Sequence, residues 1–158
     1  MVEQKRPSLD ETYMRVAEIW ATRSYARRKK VGAVIVRDKR SIAEGYNGTP
    51  TGFDNNCELE VEKKYETSNP DNADTYIDLV TKPEVLHAEL NCLMKVARST
   101  ESTDGCTLYV TLSPCIECSK MIIQAGIKRV VFREKYRIDD GVELLKKAGI
   151  QVDQLIGE

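Results

Sequence analysis

Four residues have types and spacing that can do chemistry together. His87 and Glu89 lie two apart, and Cys115 and Cys118 lie three apart. An imidazole and two thiols are good zinc ligands, and a carboxylate two residues from a ligand histidine can move protons beside the ion. Cys115 and Cys118 share one face of a helix and can grip one ion. Ser113 is placed to cap that helix and Pro114 to take its first position. Both thiols then sit at a helix N-terminus, where dipole and metal favour thiolate. His87 and Glu89 do not share a face in mid-helix, so they converge only in a first turn, and Pro83 upstream fits a helix starting near it. Three protein ligands leave a tetrahedral ion one open position, as in catalytic rather than structural zinc sites. The expectation is one zinc per chain, held by His87, Cys115 and Cys118, with Glu89 as proton carrier. Alone, the C-x-x-C pair also suits a structural zinc knuckle or a redox pair. The two motifs in this order, on two helix starts, favour the catalytic site.

The chain behind these residues has 158 positions, suggesting one domain over 1–158. That length buries roughly 70% of its unfolded surface without disulfide staples. A formal net charge of -1 gives no global basic field for a nucleic-acid polymer. No stretch approaches a membrane span, and Met1 to Pro7 lacks the apolar core of a signal peptide. Five cysteines without an export signal read as reduced, hence a cytoplasmic protein. Cys92 and Cys106 read as core residues. Cys57, in a polar stretch, reads as a surface thiol or a ligand-loop residue.

Elements must position the four residues. Ser8-Leu9-Asp10-Glu11 forms a capping box that opens a helix to about Thr22, with Met14, Ala17, Ile19 and Ala21 among its apolar positions. Arg27-Arg28-Lys29-Lys30 is a solvated basic turn or an anion site at a strand edge. Val31–Val36 is a core strand, Arg37–Arg40 a turn, and Ser41–Tyr46 a second strand closing a hairpin. Gly45 to Pro50 then carries strong turn chemistry, with Gly45 and Gly48 free to adopt backbone conformations that other residues resist. Residues 47–83 read as a long polar segment with a possible short helix at Leu59–Tyr65. A helix follows from about Glu84 to Arg98, then a strand at Cys106–Leu112. The cysteine helix runs from Cys115 to Gln124 and stops at Gly126. A strand at Arg129–Phe132 completes a strand–helix–strand unit, which implies a parallel pair with a right-handed crossover. A helix at Asp140–Ala148 and a short strand at Ile150–Leu155 end the pattern. The fold class is α/β, with a mixed five-stranded sheet between helical layers, three layers in all. The zinc then lies beyond the carboxyl end of the strand that finishes at Leu112.

H-x-E followed by P-C-x-x-C is the known signature of zinc nucleobase deaminases. The chain further resembles the deoxycytidylate (dCMP) deaminase family of the cytidine-deaminase superfamily. The residues carrying this are Val31 to Val36, the Gly45 to Pro50 turn, His87-Ala88-Glu89-Leu90-Asn91, Tyr109 to Cys118, and Gln124-Ala125-Gly126-Ile127-Lys128. The resemblance implies a cytidine-deaminase-like fold and hydrolysis of dCMP to dUMP and ammonia, supplying thymidylate synthesis. It implies that Glu89 carries the protons, that backbone near Ala88 and Ser113 contacts the base, and that Asn47 holds the sugar hydroxyl. Arg28 and Tyr136 match positions that look like phosphate contacts, with Arg27 and Lys29 equally plausible by charge. Family members imply a homo-oligomer, often a hexamer, activated by dCTP with Mg2+ and inhibited by dTTP. The regulatory pocket would involve Gly45, Tyr46, Asn47 and Gly48. Some relatives hold a second zinc partly on histidines. With His87 the single histidine, no such site is expected here.

Other readings keep the zinc and change the ligand. A nucleoside deaminase has no need of the Arg27 to Lys30 cluster. An enzyme editing adenosine in tRNA needs an extended positive surface that this composition lacks. A zinc-stabilised module that only senses nucleotides has no use for Glu89.

Overall fold

The apolar run read as a core strand is β1 (Gly32–Arg37), and it turns back as β2 (Arg40–Tyr46). Arg37 pairs with Arg40, so the connection is Asp38-Lys39, both with positive φ, as a two-residue hairpin of this twist requires. In a computed structural model, residues 6–66 and 74–157 are described. The expectations for Met1 to Pro7 and for the middle of the polar segment therefore fall partly outside the described residues, at 1–5 and 67–73.

The remaining elements are α1 (Leu9–Ala21), β3 (Glu58–Lys64), β4 (Thr75–Thr81), α2 (Ala88–Ala97), β5 (Thr107–Leu112), α3 (Ile116–Gln124), β6 (Arg129–Glu134), α4 (Asp140–Lys147) and β7 (Gln151–Gln154). The main sheet has the order β2-β1-β5-β6-β7. β1 is antiparallel to β2 and β5, whereas β5, β6 and β7 run parallel. This is the expected mixed five-stranded sheet. Side-chain alternation sorts it into two faces. Val34, Val36, Tyr109 and Val131 meet Met14 and Ala17 of α1 on one side. Ala33, Ile35, Leu108, Val110, Val130 and Phe132 meet α2, α3 and α4 on the other, through Cys92, Leu93, Ile122 and Leu145. Cys92 and Cys106 are core residues, as expected.

Local signals explain where helices begin and end. Ser8 Oγ accepts the Glu11 N–H at 3.1 Å, half of the anticipated capping box. The other half does not form. The Glu11 carboxylate instead takes both Arg133 NH groups, at 3.0 and 3.1 Å, and Arg15 Nε at 2.9 Å. A bidentate guanidinium is the stronger partner, and it ties α1 to β6. Ile19 is 67% exposed, because the inner stripe of α1 runs through Met14, Ala17 and Ala21. Gly126 and Gly149 end α3 and α4 with positive φ. In both, the next residue bonds back five positions, Ile127 N–H to Ile122 O at 3.3 Å and Ile150 N–H to Leu145 O at 3.1 Å.

The polar segment departs most from expectation. Leu59–Tyr65 is not helical. β3 and β4 form a separate antiparallel two-stranded sheet, with Glu58 opposite Thr81 and Lys64 opposite Thr75. Cys57 is buried at the base of this hairpin, and burial pushes its thiol pKa up, so it is not a surface thiol. Among the described residues no helix is long and apolar enough to cross a membrane.

Candidate active site

Two helix starts face each other at the carboxyl end of β5. His87 is the N-cap of α2 and Cys115 the N-cap of α3. The second helix therefore starts at Ala88, several residues later than Pro83 suggested. Cys115 takes the capping position assigned to Ser113, and Pro114 lies just outside the helix. Ser113 Oγ instead accepts the Tyr136 N–H at 2.7 Å, which fixes the chain leaving β6. Neither N-cap side chain makes a capping hydrogen bond to its helix. They turn toward one another: His87 Nδ1 lies 3.6 Å from Cys115 Sγ and 3.3 Å from Cys118 Sγ. All three donor atoms lie within 4.8 Å of one another. Tetrahedral zinc with bonds of about 2.0–2.3 Å holds its ligand atoms roughly 3.5–3.8 Å apart, so this donor set fits the ion. α4 presses on the same turn, since a Cβ at Gly141 would stand 2.2 Å from Pro114 O. Only a glycine admits that approach, a positioning feature the sequence did not reveal.

Glu89 occupies the first turn of α2 and is 4% exposed. Burial pushes its pKa up to about 6, against the lowering pull of its own backbone N–H and of His87. The Cys118 hydrogen bond holds the Cys115 thiol down to about 3, with His87 assisting. The same bond and burial raise Cys118. His87 is raised, chiefly by its hydrogen bond with Cys115. A cation binds the thiolates and the neutral imidazole, so taking one up releases protons from the cluster.

His87, Glu89 and Cys115 line a 240 Å³ cavity, as do Arg28, Lys29, Asn47, Ala88 and Tyr136. The structure therefore brings together every residue expected to touch substrate. The Asn47 amide is already engaged: Oδ1 accepts the Val31 N–H at 2.8 Å and Nδ2 donates to Lys29 O at 2.9 Å. One amide hydrogen and one lone pair remain for a ligand. The three basic candidates separate clearly. Arg27 is paired with Glu60 at 2.7 Å, and Lys29 with Glu134. Among the described residues the Arg28 side chain makes only a 3.5 Å contact, with Thr81 Oγ1. Glu58 and Thr81 also line the cavity and were not anticipated.

Asn47 and its neighbours face different ways. Gly45, Tyr46 and Gly48 line a second cavity of 360 Å³, with Asn91, Lys95 and Arg98. Neither glycine has a positive φ. Gly45 is needed for packing instead, since a Cβ there would meet Ala88 O at 2.8 Å and Cys92 Sγ at 2.9 Å.

A three-donor cluster with one side open to a cavity suits hydrolysis at a metal rather than a structural clip. Comparison with known proteins says which hydrolases. Residues 7–134 match the cytidine and deoxycytidylate deaminase zinc-binding region, and the chain belongs to that deaminase family. It is 38% identical to the deoxycytidylate deaminase of Saccharomyces cerevisiae over 98% of its own length, spanning 47% of the yeast protein. Against the deoxycytidylate deaminase of Enterobacteria phage T4 it is 34% identical, covering 89% of this chain and 86% of that one. The crystal structure of the cyanophage S-TIM5 dCMP deaminase in complex with dCMP and dUMP superposes with a TM-score of 0.79. Identity there is 43%, over 96% of this chain and all of that one (100%).

Proposed function

We propose that the protein hydrolyses dCMP to dUMP and ammonia, as one deaminase domain over residues 1–158 acting in the cytoplasm to supply thymidylate synthesis. The observation that carries this is the shared cavity, lined by His87 and Cys115 of the donor cluster, by the buried Glu89, and by Arg28, whose guanidinium has no carboxylate partner among the described residues. His87, Cys115 and Cys118 would hold a zinc ion, which when bound would supply an acidified water as nucleophile. Glu89 takes one proton from the attacking water and passes it to N3 of cytosine, then takes the second proton from the oxygen now bonded to C4 and gives it to the departing amine as the C4–N bond breaks. Its burial suits both roles, because a carboxyl near pKa 6 can accept and release a proton near neutrality. Backbone at Ala88 and Ser113 orients the base, and Asn47 offers its remaining amide hydrogen and lone pair to the sugar hydroxyl. Arg28, with Tyr136 beside it, takes the phosphate.

Arg28→Ala tests the phosphate assignment. Removing a charge-assisted hydrogen bond from a partly enclosed site costs about 1.5–3 kcal/mol, so KM for dCMP should rise roughly 10–150-fold while deoxycytidine turnover changes little. A silent Arg28→Ala beside a damaging Arg27→Ala in the same steady-state assay would move the assignment by one residue.

The second cavity supports a regulatory reading of the Gly45, Tyr46, Asn47 and Gly48 segment. One strand end has Asn47 in the substrate cavity and its neighbours in another, where Lys95 and Arg98 can meet an anion. In this reading dCTP with Mg2+ stabilises an arrangement with Asn47 placed for dCMP, and dTTP one with it displaced. Effectors act only by binding one state better. In a homo-oligomer such as a hexamer, the dCMP curve should be sigmoidal, and dCTP should straighten it. Coupling of about 1–3 kcal/mol corresponds to a 5–150-fold change in apparent affinity. Superimposable hyperbolic curves with dCTP, dTTP or neither would remove the regulatory reading.

A further inference from the structure

We propose that Glu58 is a positioning residue for the substrate phosphate, acting through the backbone that carries Arg28. The proposal rests on the nucleotide reading above. Glu58 is 1% exposed, although it opens an otherwise largely solvent-facing strand. Its Oε1 accepts two consecutive backbone N–H groups, Arg27 at 2.9 Å and Arg28 at 3.2 Å. Its Oε2 is buried and has no hydrogen-bond donor among the described residues, with Arg27 Nε 3.7 Å away as an ion-pair partner. A buried carboxylate whose second oxygen has only a 3.7 Å ion pair is an expensive way to hold a loop. Such a group persists where the segment it holds must be placed accurately.

The segment it holds is the one that matters for the phosphate. Glu58 fixes the chain at Arg27 and Arg28, and the Asn47 amide fixes it again at Lys29 and Val31. Two clamps therefore flank Arg28. The neighbouring cations are paired with carboxylates, Arg27 with Glu58 and Glu60 and Lys29 with Glu134. Of the two that line the cavity, Arg28 and Lys29, Arg28 is the one without a carboxylate partner among the described residues. Thr81, directly across the hairpin from Glu58, touches its guanidinium at 3.5 Å. The first rung of the β3–β4 hairpin thus holds both the backbone and the side chain of the phosphate-binding residue. Without the Glu58 acceptor, the N–H groups of Arg27 and Arg28 lose their partner and the loop swings Arg28 off the cavity.

The test is steady-state kinetics of the zinc-loaded protein on dCMP and on deoxycytidine, with thermal melting of each variant. The quantity read is the ratio of kcat/KM for the two substrates. Glu58→Ala should lower that ratio at least tenfold, through KM for dCMP. Glu58→Gln keeps an oxygen for both N–H groups and should restore it to within about threefold of wild type. If Glu58→Ala does not fold, Glu58→Asp, too short to span both N–H groups, is read the same way. A ratio within twofold of wild type in Glu58→Ala overturns the proposal. So does a proportional loss on both substrates, or a Glu58→Gln no better than alanine. A wild-type ratio near one overturns the nucleotide reading itself and the Glu58 role with it. A high wild-type ratio that Glu58→Ala leaves in place overturns the Glu58 role alone.

Discussion

Replacing Glu89 with glutamine should leave fold and zinc content intact and lower turnover about 10²–10⁴-fold. The carboxylate is buried in the first turn of α2, beside the donor cluster but outside it. Glutamine has the same shape and a similar volume, so the packing under the site has no reason to move. What it lacks is a group that accepts a proton from water and returns it to the base. The loss should fall on kcat, because the first-turn position and the cavity wall stay as they were. Zinc content by metal analysis and the melting midpoint supply the controls. Activity within twofold of wild type would refute the assignment of Glu89 as the proton carrier.

Cys115→Ala should be the other large effect. It removes one of three donors, where even outer partners of metal ligands are worth about 10–100-fold in affinity, so the loss of zinc binding should exceed that range. The purified variant should carry well below one zinc per chain and be inactive, while wild type carries one. The His87, Cys115 and Cys118 atoms come from two helix starts, so the ion also joins α2 to α3. Chelation should therefore lower the melting midpoint as well as abolish turnover. Two tightly bound zinc ions per wild-type chain, or a fully active zinc-bearing Cys115→Ala, would contradict the three-donor site.

Much of this arrangement was legible in the chain because its signals are local. The apolar run at Val31–Val36, the glycine stops at Gly126 and Gly149, and the cysteines three apart each act within a few residues. They settle the strand, the helix ends and the shared face. The failures came where a distant partner overrode a local preference. Ser113 looks like a helix cap, but its hydroxyl is taken by Tyr136, and Cys115 stands at the cap instead. Glu11 looks like the second half of a capping box, but Arg133 reaches it from β6. The β3–β4 hairpin is a different case. Glu58-Leu59-Glu60-Val61-Glu62 alternates with period two, and Thr75 to Thr81 is rich in β-branched residues, so the strands were readable. Their pairing was not, because the partner lies beyond residues 67–73. With the pairing hidden, Glu58 had no visible reason to be buried, and the clamp on Arg27 and Arg28 stayed out of sight.

The central claim is that this cavity deaminates a single deoxynucleotide. It is tested most directly by incubating the zinc-loaded protein with dCMP, cytidine or dCTP at matched concentrations and following the loss of cytosine absorbance. The account predicts rapid conversion of dCMP to dUMP with ammonia released in equal amount, and slow conversion of cytidine. Cytidine turned over as readily as dCMP, or no loss of absorbance with dCMP by a protein carrying its zinc, would contradict it.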